Sequence, residues 1–297
     1  MLAQTDCNTQ DEAKAMFHGV IIKYHYRNQI KPRIIFKTDS ASIRSYIAKV
    51  DSFVMKVDTF VKMAGGGIRM DSTVLKIFNR NHKWKNMLVV IDWTGSMYSY
   101  GSQIAIWNAM NLQRKDGIKN IVFFNDGSGK PDYKKKIGST GGIYYCEAKD
   151  ITSIYDMMFQ VQRDGDGGDY PENDLEALLK SINKYKKTVD DIILIADNTS
   201  CMRDYDLLYR IHRPIHVLLC RTGCGINPQY LNLAFKTGGS IHTLEQDIQD
   251  VVQGTFGGKI TVDGVPFKLA GNGFYKVSDE DYWRCPDDCD YKSNGHK

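Results

Sequence analysis

No run in the chain approaches the roughly 20 consecutive apolar residues that a membrane-spanning helix requires, so no transmembrane segment is expected. Charge of one sign is scarce as an excess. Lys and Arg number 39 against 35 Asp and Glu, for a formal net charge of +4. The basic residues are scattered, and the densest run, Lys134, Lys135 and Lys136, lacks interleaved aromatics; it reads as a solvated turn, and no nucleic-acid partner is expected. A phosphate-cradling Gly-Lys-Ser/Thr loop is missing, as is any legible nucleophile–base pair, which removes support for phosphoryl transfer and for covalent catalysis. Internal repeats and low-complexity linkers are absent too.

Cysteines are few and odd in number. With seven in 297 residues, at least one thiol is free or pairs outside the chain. Cys285 and Cys289 flank Pro286-Asp287-Asp288 in a polar tail, where a local disulfide fits an oxidising compartment; Cys146 and Cys201 read as semi-buried thiols. His212, His216, Cys220 and Cys224 recur every four residues, a spacing that invites a zinc reading. Residues 214–220 nevertheless look like a strand, on which only His216 and Cys220 share a face, so packing is the expected role. Leu2, Ala3 and Gln4, ahead of a polar stretch to Lys14, resemble the remnant of a trimmed secretory signal. The expected location is extracytoplasmic, with the cytoplasm as the alternative.

What is present is a change of pattern along a chain long enough to bury a large core without disulfide or metal. Residues 20–26 and 33–38 read as a β-hairpin, followed by a long helix from Asp39 or Ser40 whose apolar stripe runs from Ile43 to Ala64 and stops at Gly65-Gly66-Gly67. Beyond Trp84, buried strands at 87–91, 118–124, 191–196 and 214–220 and a short one at 240–244 alternate with helices near 103–112, 151–161, 172–185, 205–211, 229–235 and 246–252. A short antiparallel pair, 133–137 with 142–146, interrupts the series. This alternation predicts an α/β fold with a doubly wound, mostly parallel sheet and helices on both faces, Rossmann-like in layout. From Gly257 onward, strands at 259–262 and 265–269 flank an Asp263-Gly264 turn, and another follows at 274–277. The expected division is an N-terminal hairpin and helix (1–84), an α/β domain (85–254) and a C-terminal hairpin and tail (255–297). The two end segments are expected to meet as one small β-rich annex, covered by the long helix.

In such a sheet, ligands collect where strands end. Three strand ends are rich in oxygen. After the first buried strand the chain reads Asp92-Trp93-Thr94-Gly95-Ser96, a carboxylate and two hydroxyls on alternate positions in a tight turn, the ligand type that hard cations prefer. The second is Asp164-Gly165-Asp166-Gly167-Gly168-Asp169-Tyr170-Pro171-Glu172, whose Pro171 and Glu172 read as a helix start. Asp197, followed by Asn198, is the third. Two structural readings compete: the aspartates could satisfy loop amides, and Thr94 and Ser96 could cap the next helix. Trp93, Tyr98 and Tyr100 read as an aromatic contact rim around the site, with core packing beneath the loop as the alternative for Trp93.

These three segments, in this order, resemble the metal-ion-dependent adhesion site (MIDAS) of von Willebrand factor A-type (vWA) domains, over roughly residues 85–254, in the subset carrying Gly-Gly-Asp-x-Pro-Glu in the second loop. The resemblance implies that Asp92, Thr94, Ser96, Asp169 and Asp197 hold Mg²⁺ (or Mn²⁺ or Ca²⁺), Asp197 commonly through water. It also implies that the open metal position accepts an acidic residue of a partner protein, and that the chain is not an enzyme. Two positions depart from the common pattern: Asp169 replaces a threonine, and Asn198 stands where glycine is usual. The additional carboxylate satisfies more of the cation's charge, which weakens its pull on a partner carboxylate. The leading expectation is thus a cation-dependent protein-binding module in adhesion or assembly. The alternatives are an accessory subunit whose metal only orders the loops and, behind it, a metal-assisted hydrolase with Asp166, Asp169 or His242 as base.

Overall fold

The computed structural model describes residues 12–17, 20–26, 30–35, 40–63, 72–165, 167, 171–271 and 273–277, with side chains from residue 45 onward except that of Cys224. Asp166 and Asp169 therefore lie outside the described residues, as do Leu2 to Gln4, Cys285 and Cys289.

The centre is a seven-stranded sheet in the order β10-β9-β8-β7-β4-β5-β6. Its five inner strands are β4 (Met87–Asp92), β5 (Ile118–Phe124), β7 (Ile192–Asp197), β8 (His216–Cys220) and β9 (Ser240–His242), all mutually parallel. The edges, β6 (Ile143–Glu147) and β10 (Asp247–Ile248), run antiparallel. Every residue of β4 and β7 is buried, as expected of strands covered on both faces. Their side chains divide with a period of two. Val89 and Ile91 join a core with α1 (Ser40–Met63), α2 (Thr73–Arg80), α3 (Tyr98–Met110) and α4 (Ile151–Asp164), whereas Leu88 and Val90 join one with α5 (Asp174–Tyr185) and α6 (Pro228–Thr237). The α/β sheet with helices on both faces is as expected.

Several local expectations are corrected. The end segments do not form one annex: β1 (Glu12–Phe17), β2 (Val20–Tyr26) and β3 (Ile30–Ile35) make one antiparallel sheet, while β11 (Lys259–Val262), β12 (Val265–Ala270) and β13 (Gly273–Lys276) make another. Each is closed by its own short connections, so neither needs the other. The stripe of α1 enters the main core instead, with Phe60 stacked on Trp93 at 5.9 Å between ring centroids. Ile143–Glu147 pairs with β5 rather than with residues 133–137, where Asp132–Lys134 is a 3₁₀ turn. Tyr205–Arg210 is likewise a 3₁₀ segment, and the expected helix at 246–252 divides into β10 and the short α7 (Val251–Gly254), capped by Asp250. Cys201 is disulfide-bonded, while Cys146 is a free, buried thiol. Among the described residues, no helix is long and apolar enough to cross a membrane.

Candidate metal centre

Strand order places the site. From β4 the chain proceeds outward through β5 and β6, then returns to the other side of β4 with β7 and continues to β8 and β9. The reversal lies at β4 and β7, and a crevice opens beyond the carboxyl ends of strands at such a switch point. Asp92 ends β4 and Asp197 ends β7.

The two aspartates are held alike. Asp92 Oδ1 accepts the Thr94 N–H at 2.9 Å and Asp197 Oδ1 accepts the Thr199 N–H at 2.8 Å, each carboxylate turning its own loop two residues on. Their remaining oxygens differ. Asp197 Oδ2 accepts the Ser96 hydroxyl at 2.8 Å and the Arg221 guanidinium at 2.6 Å. Asp92 Oδ2 is buried with no hydrogen-bond partner. The amide-satisfying reading accounts for one oxygen of each aspartate only. Helix capping is not what the hydroxyls do, since Thr94 makes no side-chain cap bond and Ser96 turns to Asp197.

The second loop closes over the first. Gly167 has φ +91°, and a Cβ there would stand 2.8 Å from Thr94 Cγ2, so only glycine permits this approach. Beyond it, Glu172 does not begin a helix. Its N–H donates to the Cys201 carbonyl and its carbonyl accepts the Arg203 N–H, both at 2.7 Å, clamping it to the third loop; α5 starts two residues later. That clamp buries Glu172, 3 % exposed, and leaves Oε2 without a partner.

Asp126, past the end of β5, adds a further carboxylate, fully buried and ion-paired with Lys135 and with Arg203 at 3.2 Å. The middle lysine of the triplet is therefore a buried counter-ion, not part of a solvated turn: its Nζ also donates to the Gly167 carbonyl at 3.4 Å. Arg203 ties the same region together by donating to the Pro171 carbonyl at 2.9 Å and pairing with Asp132. Asp174 is buried beside Tyr230, whose hydroxyl donates to the Asp197 carbonyl at 3.2 Å and stands 3.4 Å from Asp174 Oδ2.

So many buried carboxylates oppose one another's ionisation. Burial, then the charge of Asp197, pushes the Asp92 carboxyl up to about 8, against partial relief from Thr94. Burial, then Asp92 and Asp126, raises Glu172 well above the usual carboxylate range; burial, then Asp204, does the same for Asp174. Among the described residues, neither Asp92 nor Glu172 nor Asp174 has an ion-pair partner. A cation is the chemical complement of these orphaned acids.

No family model, curated protein or solved structure matches the chain. The assignment of the site therefore rests on its residues. Asp92, Thr94, Ser96 and Asp197 meet at one sheet edge, with Ser96 bonded directly to Asp197. Among the described residues, no three His, Cys, Asp or Glu side chains stand close enough to hold a metal by themselves. The expected set has only two such residues there, Asp92 and Asp197; its other described members are hydroxyls.

Trp93, Tyr98 and Tyr100 are all buried and form core, not rim; Trp93 donates its indole N–H to the Met158 carbonyl at 3.1 Å. His242, fully buried, is engaged by Ser240 at 2.6 Å and Asp247 at 2.7 Å, and β9 ends with it opposite Leu218, two residues short of Cys220 at the top of β8. Glu172, Asp126 and Arg221 are the participants that sequence reasoning missed. Asp126 was within reach, because Asn125-Asp126 follows a buried strand as Asp92 and Asp197 do.

Proposed function

We propose that the chain contains a vWA-type domain whose MIDAS-like edge binds a divalent cation and, through it, another protein. The observation that carries this reading is the buried, partnerless Oδ2 of Asp92 among Glu172, Asp126 and Asp197, beside the hydroxyls of Thr94 and Ser96. Asp92, Thr94, Ser96 and Asp197 would hold the ion, and Asp169, two positions after Gly167 in the sequence, is the further ligand that the resemblance implies. A hard divalent ion, Mg²⁺ or Mn²⁺, suits this all-oxygen set. When bound, it supplies a positive centre with a position open to an acidic side chain of the partner. The protein's own part is to present the oxygens rigidly: two aspartate-stabilised turns, the Gly167 contact and the Glu172 clamp fix the three loops relative to one another. The Cys201 disulfide favours an oxidising, extracytoplasmic setting.

Isothermal titration with Mn²⁺, paired with capture of partner proteins in Mg²⁺ or EDTA, tests the reading. Asp92→Ala is expected to abolish Mn²⁺ binding and capture together, while circular dichroism stays unchanged. Capture that survives both EDTA and Asp92→Ala would overturn the metal-dependent model and leave an accessory subunit.

A further inference from the structure

Arg221 follows β8 with φ 61° and ψ 41°, a left-handed conformation that costs a non-glycine residue roughly 1 kcal/mol. From there its guanidinium donates to Asp197 Oδ2, the oxygen that also accepts the Ser96 hydroxyl. The positive charge at the centre of the candidate site is thus supplied by the chain itself.

The site contains two kinds of cationic contact, and their burial separates them. Lys135 and Asp126 both have fully buried side chains, so that pair is part of the interior. Arg221 is 32 % exposed while Asp197 is 1 % exposed, so this guanidinium reaches in from solvent and can return to it. Water receives the released guanidinium, but Asp197 stays buried, so release is favourable only when another cation takes its place. Asp92, meanwhile, keeps its buried Oδ2 without any partner, so the charge that Arg221 brings does not complete the site.

We propose that Arg221 is a displaceable internal counter-cation that competes with the divalent ion for Asp197, and so sets the cation concentration at which the site loads. The inference rests on the cation-binding reading given above. In the ion-free protein, the guanidinium offsets the charge of Asp197, which otherwise opposes ionisation of Asp92. On loading it swings outward, which places a planar, permanently charged donor at the rim of the site.

Mn²⁺ titration of wild type, Arg221→Lys, Arg221→Gln and the double variant Asp92→Ala/Arg221→Gln tests the idea. Arg221→Gln, which removes the charge and shortens the side chain while keeping it polar, is expected to bind Mn²⁺ about fivefold more tightly than wild type, with Arg221→Lys between them. A second readout is independent of affinity: reaction of Arg221 with phenylglyoxal, followed by peptide mass mapping, should rise on adding Mn²⁺ to wild type and stay level in Asp92→Ala. Equal or weaker Mn²⁺ binding by a folded Arg221→Gln, with Arg221 labelling indifferent to Mn²⁺, would overturn the competition. If the double variant binds Mn²⁺ as well as Arg221→Gln does, the cation reading itself fails, because the ion then lies elsewhere.

Discussion

Asp204 illustrates how much a single residue does for this site without belonging to it. Its two carboxylate oxygens accept the N–H groups of Leu175 at 3.2 Å and Glu176 at 2.5 Å, capping α5 from another loop; Asn173, at the local N-cap, makes no such bond. Burial pushes the Asp204 carboxyl up to about 7, with those amide bonds opposing the shift. A carboxyl raised on folding stabilises the native state fully below its unfolded pKa of about 4, and the contribution is lost as pH rises through 7. Asp204→Asn is expected to lower stability at low pH, since one amide bond is lost, and to remove this slope. The gap between wild type and variant in urea unfolding should shrink by roughly 2–3 kcal/mol from pH 5 to pH 8. Asp174, raised in part by the charge of Asp204, relaxes with it, whereas the more distant raised acids are common to both proteins. A gap that stays constant with pH would show that Asp204 is ionised throughout.

At the scale of elements, β8 and β9 are joined by a side-chain chain as well as by their ladder. His216 contacts Asp191 at 3.2 Å through Nε2 and Ser240 at 2.6 Å through Nδ1; Ser240 contacts His242 Nε2 at 2.6 Å, and His242 Nδ1 contacts Asp247 at 2.7 Å. Arg80 of α2 braces Asp247 at 2.9 Å, and Trp84 packs against both imidazoles. Burial lowers the pKa of His242, which favours its neutral form with Nδ1–H on Asp247; Ser240 then donates to Nε2. Order and chemistry here match a Ser-His-Asp relay, yet Ser240 and His242 are fully buried, so the arrangement fastens α2 to the sheet edge. Ser240→Ala, which leaves two imidazole nitrogens unpaired, is expected to cost on the order of 2 kcal/mol. A loss within a few tenths of that of an exposed Ser→Ala control would show that water replaces the hydroxyl without penalty.

The same elements show what the sequence could and could not disclose. The buried strands were legible because 87–92 and 192–197 are apolar throughout and end in aspartate, and the site followed from those ends. The Asp263-Gly264 turn likewise announced the β11–β12 hairpin. Helix α2 was not legible because it is only eight residues long, too short for the spacing of Val74, Ile77 and Phe78 to separate a helix from a short apolar run. Glu172 was misplaced for a different reason. Pro followed by Glu does favour a helix start, but the tertiary clamp on Cys201 and Arg203 outweighs that local preference and carries Glu172 into the site. Arg221 was invisible, since its role depends on register: Asp197 lies opposite Cys220, so the next residue can reach back across the strand.

For the molecule as a whole, the C-terminal sheet decides whether the α/β core ends at α7 or continues. Ile260, Val262, Phe267 and Phe274 are buried in the same core as α6, Phe235 packs on Phe274 at 5.3 Å, and Asn232 accepts the Phe274 N–H at 2.7 Å. The other end of α6 is tied to the third loop of the site, where Asn227 donates its N–H to Asn198 at 2.9 Å and its amide to the Ser200 carbonyl at 2.8 Å. The sheet therefore belongs to the folding unit, and its contribution should appear in stability first. Phe267→Ala removes a fully buried ring from this junction and is expected to cost about 3–5 kcal/mol. At 2–4 °C per kcal/mol for a domain of this size, the melting temperature should fall by roughly 6–20 °C. Mn²⁺ affinity well below that temperature should remain within about twofold of wild type, because α6 stays anchored to the loop through Asn227. A Phe267→Ala protein melting within a degree of wild type would mark the sheet as an appendage with a fold of its own.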